Sequence, residues 1–330
     1  MKSISRAALA AGAVAGLAAA APFVHLAPGV SFRINASTKI YAGDVPSAED
    51  NEVMRGRGVA VDNRSRIEFL VYTPTPQNVT TDDYVFGADS GKTFVFHSGS
   101  KTYQPANDMF GGPAVVALGR VLGGGGRGFR GGGGPPGGGG FRGARGGGGG
   151  GGGFRGRGGR GRGGLGAGFL NQIQVLNVDF KLEKLGAGDA IEGRPTQHYR
   201  VTTDYRIVWG DQAFPAHAVT DIWTAQLPTN IPNPFEPFTV ADQSADGPMI
   251  EYALKLRAIH AQIAGTPVKV VTNTTLSGVK DVAGFEGMIN PDAPTDTVHV
   301  VQQTQITSIQ PSDVDPKTVT VPDEGGEAPE

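Results

Sequence analysis

Two stretches of the chain, 30–122 and 169–322, alternate apolar and polar residues with a period of two. That period is the mark of a β-strand with one buried face. In the first stretch Phe32, Ile34, Ala36, Thr38 and Ile40 alternate with Arg33, Asn35, Ser37 and Lys39. A second strand is expected over 53–61, with Met54, Gly56, Gly58 and Ala60 on one face; small residues there suggest a bend or a close neighbour. Ile67, Phe69 and Val71 mark a third, and 82–96 reads as a hairpin turning at Asp89-Ser90-Gly91, followed by Lys101-Thr102-Tyr103. A short helix starting at Pro113 is also expected. The second stretch has the longer strands. Leu176, Val178, Phe180 and Leu182 form one, and Tyr199 to Trp209 the next. Ala216 to Leu227 follows, with turns expected at Gly186–Asp189, Glu192–Pro195 and Gly210-Asp211. After Pro228, Pro232, Pro234 and Pro237 the period changes to that of a helix, expected over 247–264. Met249, Tyr252, Leu256, Ile259 and Ile263 form its stripe, and Gly265 its stop. Two more strands are expected at 268–276 and 297–309, then a turn at 311–316 and a short strand at 319–322.

The expected fold is therefore mainly β, of the α+β class. It is a strongly curved antiparallel sheet, an incomplete barrel, wrapping one amphipathic helix.

Between the two halves lies a tract, 123–168, with 30 of the chain's 53 glycines, eight arginines and no acidic residue. Ordering each residue costs roughly 1–2 kcal/mol of backbone entropy, so the whole tract would cost tens of kcal/mol. Its three Phe return only roughly 1.5–3 kcal/mol each. The tract is expected to be a disordered cationic insertion. Its arginines, Arg127, Arg130, Arg142, Arg145, Arg155, Arg157, Arg160 and Arg162, are candidate anion contacts. They have the composition of RNA-binding Arg-Gly-Gly segments, but no folded RNA-reading signature accompanies them. The chain's formal net charge is −2, so with the tract at +8 the remainder carries −10. An acidic body with a basic loop could bind itself or an anionic surface such as an envelope polymer, and nucleic acid is the less expected partner.

Lys2 and Arg6 precede an uncharged run from Ala7 to Ala21, the pattern of a secretory signal peptide over 1–20. The expectation is an exported protein of the periplasm or cell envelope; an uncleaved inner-membrane anchor is the alternative. No later stretch is apolar enough to span a membrane. There is no Cys, which removes disulfides and thiolate metal sites. An acidic tail, 323–330, is expected to be disordered.

Several motifs resemble the LolA/LolB-like superfamily of periplasmic lipoprotein carriers and their exported relatives. These are Gly56-x-Gly58, the Asp89 to Phe96 hairpin with Lys101-Thr102-Tyr103, Gly193-x-Pro195-Thr196-x-His198-Tyr199-Arg200, Asp221-x-Trp223 and Gly265-Thr266-Pro267-Val268-Lys269. The resemblance implies an incomplete barrel whose concave apolar face holds acyl chains. Ligand-lining candidates are then Tyr199, Tyr205, Trp209, Trp223, Met249, Leu256 and Ile259.

Catalytic signatures are missing: no G-x-S-x-G, HExxH, P-loop or dinucleotide fingerprint occurs. The six His have no close metal-ligand spacing; His198 and His217 come nearest, across a hairpin, and solvent-face histidines are the expectation. Asp82-Asp83 and Asp313-x-Asp315 have the acidity of weak Ca²⁺ sites, but turn chemistry explains them more simply. Asn35, Asn63, Asn78 and Asn273 begin glycosylation sequons. No catalytic residue, metal or cofactor is expected. The reading is a non-enzymatic exported protein that binds a lipid or other apolar ligand; the alternative is an adhesion module that contacts anionic surfaces through the tract.

Overall fold

A computed structural model describes residues 26–73, 79–80, 82–88, 93–105, 117, 173–209, 211–235, 250–279 and 296–321. The expected signal peptide, the helix at Pro113, the Gly/Arg tract with its eight arginines, Met249 and the acidic tail lie outside them.

The strands are β1 (Ala27–Ala42), β2 (Glu52–Val61), β3 (Arg64–Thr73), β4 (Tyr84–Ala88), β5 (Thr93–His97) and β6 (Thr102–Pro105), then β7 (Ile173–Ile191), β8 (Arg194–Trp209), β9 (Gln212–Ala225), β10 (Thr266–Ser277) and β11 (Thr297–Val314). They form one antiparallel sheet in the order β6-β5-β4-β3-β2-β1-β11-β10-β9-β8-β7. The first half of the chain meanders outward from β1, and the second meanders inward from β7. One pairing joins them, β1 with β11, from Ala27↔Val314 to Ala42↔Val298. The edge strands β6 and β7 are not bonded to each other, so the sheet stays open as the period-two pattern leads one to expect.

The turns are set by local chemistry. Asp62-Asn63 and Glu192-Gly193, each pair with positive φ, make the tight connections β2–β3 and β7–β8. Gly58 has a packing role: a Cβ there would lie 2.5 Å from Phe32 Cζ. The small face of β2 is thus the seat of a buried aromatic ring, the close neighbour its sequence suggested.

Three sequence expectations are corrected. Gly186–Asp189 is no turn: β7 runs through it with register shifts, and Gly186 takes φ +98 at one of them. The 311–316 segment is not a turn either. β1 continues to Ala27 and holds β11 in pairing as far as Val314. The expected last strand is instead a 3-10 helix, Pro316–Val319, capped by Asp315 Oδ1 accepting from Lys317 N–H at 2.9 Å.

The sheet curls strongly. The β10 pairing of β11 stops at Lys269↔Gln305, leaving the rest of that edge without a strand. Ser308 N–H donates instead to Glu192 Oε2 (2.5 Å), and the Arg194 guanidinium donates to the Ile309 carbonyl (2.8 Å). Both partners come from the β7–β8 turn, so the edge hairpin folds back onto the central strand.

Two elements cover the concave face. Helix α1 (Ile250–His260) lies over β7, burying Tyr252, Leu256 and Ile259. It ends at His260, short of the expected 264; Gly265, with φ +87, opens β10 instead of stopping the helix. The helix is pinned to an irregularity. The β7 register slips between Leu176 and Asp179, which frees the Val178 backbone from the ladder. Glu251 Oε1 accepts from Val178 N–H (3.2 Å), and the Lys255 ammonium donates to the Val178 carbonyl and to Glu251 (2.9 Å). An i,i+4 ion pair thereby satisfies both groups that the bulge leaves open. The second cover is a Pro-rich strap, 226–235. Asn63 N–H donates to Thr229 Oγ1 and Asn63 Oδ1 accepts from Asn230 N–H, both at 3.1 Å, while Ser65 Oγ donates to the Pro232 carbonyl at 2.6 Å. Phe235 then meets Phe69 and Tyr72 edge-on, at 5.9 and 6.3 Å between centroids. Among the described residues no helix is long and apolar enough to cross a membrane.

Leu256→Ala removes the most buried contact of α1 and is expected to cost about 2–5 kcal/mol, read from urea unfolding. Deleting 123–168 shortens the connection between the edge strands about threefold, a change worth only about 1 kcal/mol. The melting temperature of that variant is expected to stay within a few degrees of the parent.

Candidate functional site

The concave face is apolar at both ends and polar across its middle. Register places Glu52 of β2 beside Thr38 of β1, Thr38 beside Gln302 of β11, Gln302 beside Thr272 of β10, and Thr272 beside Thr220 of β9. Five buried polar residues thus form one row across five strands. Ile34, Met54 and Ile306 belong to the apolar cluster on one side, and Ile40, Val298, Val300 and Leu276 lie on the other. Much of the row satisfies itself. Thr38 Oγ1 and the Tyr72 hydroxyl donate to the Glu52 carboxylate at 3.1 and 3.2 Å, and Thr220 and Thr272 share a bond at 2.9 Å. Thr304, one rung away, donates to the Phe235 carbonyl of the strap at 3.1 Å.

Beside the row lie two hydroxyls with no hydrogen-bond partner among the described residues, Tyr205 on β8 and Thr274 on β10. Tyr205 is 3% exposed and Thr274 1%. They are near neighbours, close enough for the two hydroxyls to interact, and neither has another partner among the described residues. Burial pushes the Tyr205 hydroxyl pKa far above the ordinary phenol value, and the same holds for Tyr252, whose ring meets Tyr205 edge-on at 5.9 Å. Both phenols stay protonated, able to donate. A buried hydroxyl without a partner costs about 1–3 kcal/mol, so this corner of the face is set up for an acceptor.

Of the lining candidates, Tyr199 and Tyr205 lie on the concave face, with Leu256 and Ile259 packed over it from α1. Trp209 ends β8, and Met249 is outside the described residues. Trp223 is misplaced by the sequence reading: it follows Ile222, which points inward, so it points outward. There it stacks on His198 (4.5 Å, 7° between planes), and Lys269 Nζ sits 4.7 Å from its ring centroid. His198 Nε2 is 2.9 Å from Asp221 Oδ1, which also accepts from Arg200 Nε at 2.9 Å. His198 and His217 do not meet, because the hairpin sets His217 against Asp204. Among the described residues no group of three or more His, Asp or Glu could hold a metal.

Sequence reasoning missed Glu52, Thr272, Thr274, Thr220 and Gln302. A signal exists, a polar residue at an inward parity position, but only one or two occur on each strand. Only the register lines the residues up.

Asp83, one of the acidic turn residues, does turn chemistry. Its carboxylate accepts from Thr80 N–H (2.8 Å) and Ser98 N–H (3.1 Å), with His97 Nδ1 at 3.1 Å. Burial raises its pKa, but these bonds outweigh burial and the net direction is down from 3.8. A lowered carboxylate pKa contributes stability at higher pH that is lost as pH falls below about 3.8. Asp83→Asn is therefore expected to lose about 1–3 kcal/mol at neutral pH, and to flatten the acid limb of stability measured by urea unfolding between pH 2 and 5. No protein-family model, curated protein or solved structure matches this chain.

Proposed function

We propose that this is an exported, non-enzymatic protein of the periplasm or envelope that binds an apolar ligand against the concave face. The ligand's apolar part lies on the two clusters, and an acceptor group along it, such as an acyl ester or amide carbonyl, meets Tyr205 and Thr274. The observation that carries this reading is the pair of adjacent buried hydroxyls, neither with another partner among the described residues, between the polar row and the apolar cluster. A ligand site of this kind is mostly apolar, with a few convergent polar groups that fix orientation. The open sheet helps, because its edges can part without breaking a closed ladder. The covers are single elements, α1 and the strap, held by few hydrogen bonds, so exchange of a ligand needs no strand to unpair.

The test separates a ligand role from a packing defect. Tyr205→Phe and Thr274→Val keep shape and remove one hydroxyl each. The ligand-free double variant is expected to melt at the parent temperature or higher, since two orphan polar groups are gone. Its affinity for a monoacylglycerol with a fluorescent acyl chain is expected to fall about tenfold, the effect of one lost hydrogen bond of about 1.4 kcal/mol. Native mass spectrometry of the parent protein should show an adduct that organic extraction removes. Unchanged affinity in the double variant, or no binding by the parent, counts against the proposal.

A further inference from the structure

The outer face of the sheet carries a second candidate site, built by β11, β1, β2 and β3. Arg33 of β1 stands directly opposite Arg57 of β2. Arg55 lies two residues from Arg57 on the same face, and Arg66 projects from β3 beside them. Like charges set opposite each other in a sheet are destabilising. Glu68 relieves part of this: its carboxylate accepts from Arg57 Nε at 2.6 Å and lies 3.6 Å from Arg66. Asp50 is 3.7 Å from Lys39, and the Glu192 carboxylate is held by the Ser308 N–H at the groove wall. Arg33 and Arg55 have no acidic partner among the described residues. The body around them is acidic once the tract's charge is set apart, so a group of guanidiniums here is not the overflow of a basic surface.

The arginines line two adjoining open grooves of about 480 and 670 Å³ that share Arg33 and Ser308. Between the cations stand neutral hydrogen-bonding side chains, Asn35, Ser37, Gln303 and Gln310. Leu70 and Val71 add exposed aliphatic surface at one end, 52% and 40% accessible. Neighbouring strands are about 4.8 Å apart and alternate residues on a strand about 6.8 Å, so the four arginines stem from closely spaced backbone positions and can reach several anionic groups of one polymer. Carboxylates suit guanidinium forks, the amides and hydroxyls suit sugar hydroxyls, and aliphatic side chains suit the C–H faces of sugar rings. Nucleic acid fits less well, because bases need free aromatic faces, and the Tyr84 ring at the rim already lies under the Arg66 guanidinium, 5.0 Å from its centroid.

The geometry points to this groove as a binding site for an acidic polysaccharide, read by Arg33, Arg55, Arg57 and Arg66. It is separate from the concave face and does not depend on the ligand proposed there. It also places anion recognition in folded sequence, independent of the Gly/Arg tract.

The experiment uses the full chain and an Arg33→Gln/Arg55→Gln double variant, which leaves the Arg57–Glu68 pair and the tract untouched. Both proteins are titrated calorimetrically at low salt with a hexamer of galacturonic acid, with polyphosphate of equal charge and with a single-stranded DNA of equal charge. The double variant is expected to keep or raise the melting temperature, as like-charge repulsion falls, and to bind the hexuronate about tenfold more weakly. Its affinity for polyphosphate and DNA, which can engage the tract, is expected to change less than threefold. Equal hexuronate affinity in the two proteins overturns the proposal, as does an equal loss for all three polymers, since the groove would then read charge alone. Failure of the parent to bind the hexuronate overturns it as well.

Discussion

The pairing of β1 with β11 is the constraint on which the rest of the molecule depends. Each other pair in the sheet joins strands consecutive in sequence, with the strap and α1 lying between β9 and β10; only the β6–β7 connection breaks that series, and it leaves an open edge. The β1–β11 ladder joins the first strand of the described chain to the last and so carries the largest loop-closure cost. It is one of the longest ladders in the sheet, from Ala27↔Val314 to Ala42↔Val298, with the apolar pairs Ile34–Ile306 and Ile40–Val300 on either side of the polar pair Thr38–Gln302. Both candidate sites straddle it. The concave row needs Glu52 and Thr38 from one half and Gln302, Thr272 and Thr220 from the other. The outer groove likewise needs Gln303 and Ser308 beside the arginines of β1 to β3. The pairing brings lining residues of both halves to each site, although the two hydroxyls come from β8 and β10 and the four arginines from β1 to β3.

Curvature is the second requirement, and it leaves backbone groups that the ladder cannot satisfy. At two such places charged side chains take over. Glu251 and Lys255 serve Val178 at the slip in β7, and Glu192 and Arg194 serve Ser308 and Ile309 where β11 outruns β10. The same pairs that repair the irregularities fasten the covers: the first holds α1 on the sheet, and the second holds the curled edge hairpin. Bending the sheet and closing its concave face are thus one structural event.

Much of this was legible in the sequence. Period-two alternation located most of the strands, and the stripe of Tyr252, Leu256 and Ile259 located the helix and its buried face. What failed did so where a neighbouring strand outweighed local turn chemistry. Gly186–Asp189 and Pro311–Val314 have turn composition, yet β8 and β1 hold them extended. Trp223 failed for another reason. Its size suggested an interior position, whereas the parity of Ala216, Ala218, Thr220 and Ile222 already sends it outward. The sites were harder to see than the strands. A single Thr at an inward position looks like an ordinary strand residue, and Arg33 and Arg55 look like ordinary solvent-face residues. Each becomes notable only beside its neighbours on other strands, and register across β1 and β11 is long-range information that no local window holds.

The two faces of one sheet would therefore select ligands by opposite physics. On the concave side a polar group is shielded from water, so a single hydrogen bond made or missed is felt strongly, and two hydroxyls are enough to choose one group on an otherwise apolar molecule. On the outer side water and salt weaken each guanidinium contact to a fraction of a kcal/mol or little more. One carboxylate would hardly be held there, and a useful affinity requires several at matching spacing on one chain. Few suffice where the dielectric is low, and the arginines must come in a set where it is high.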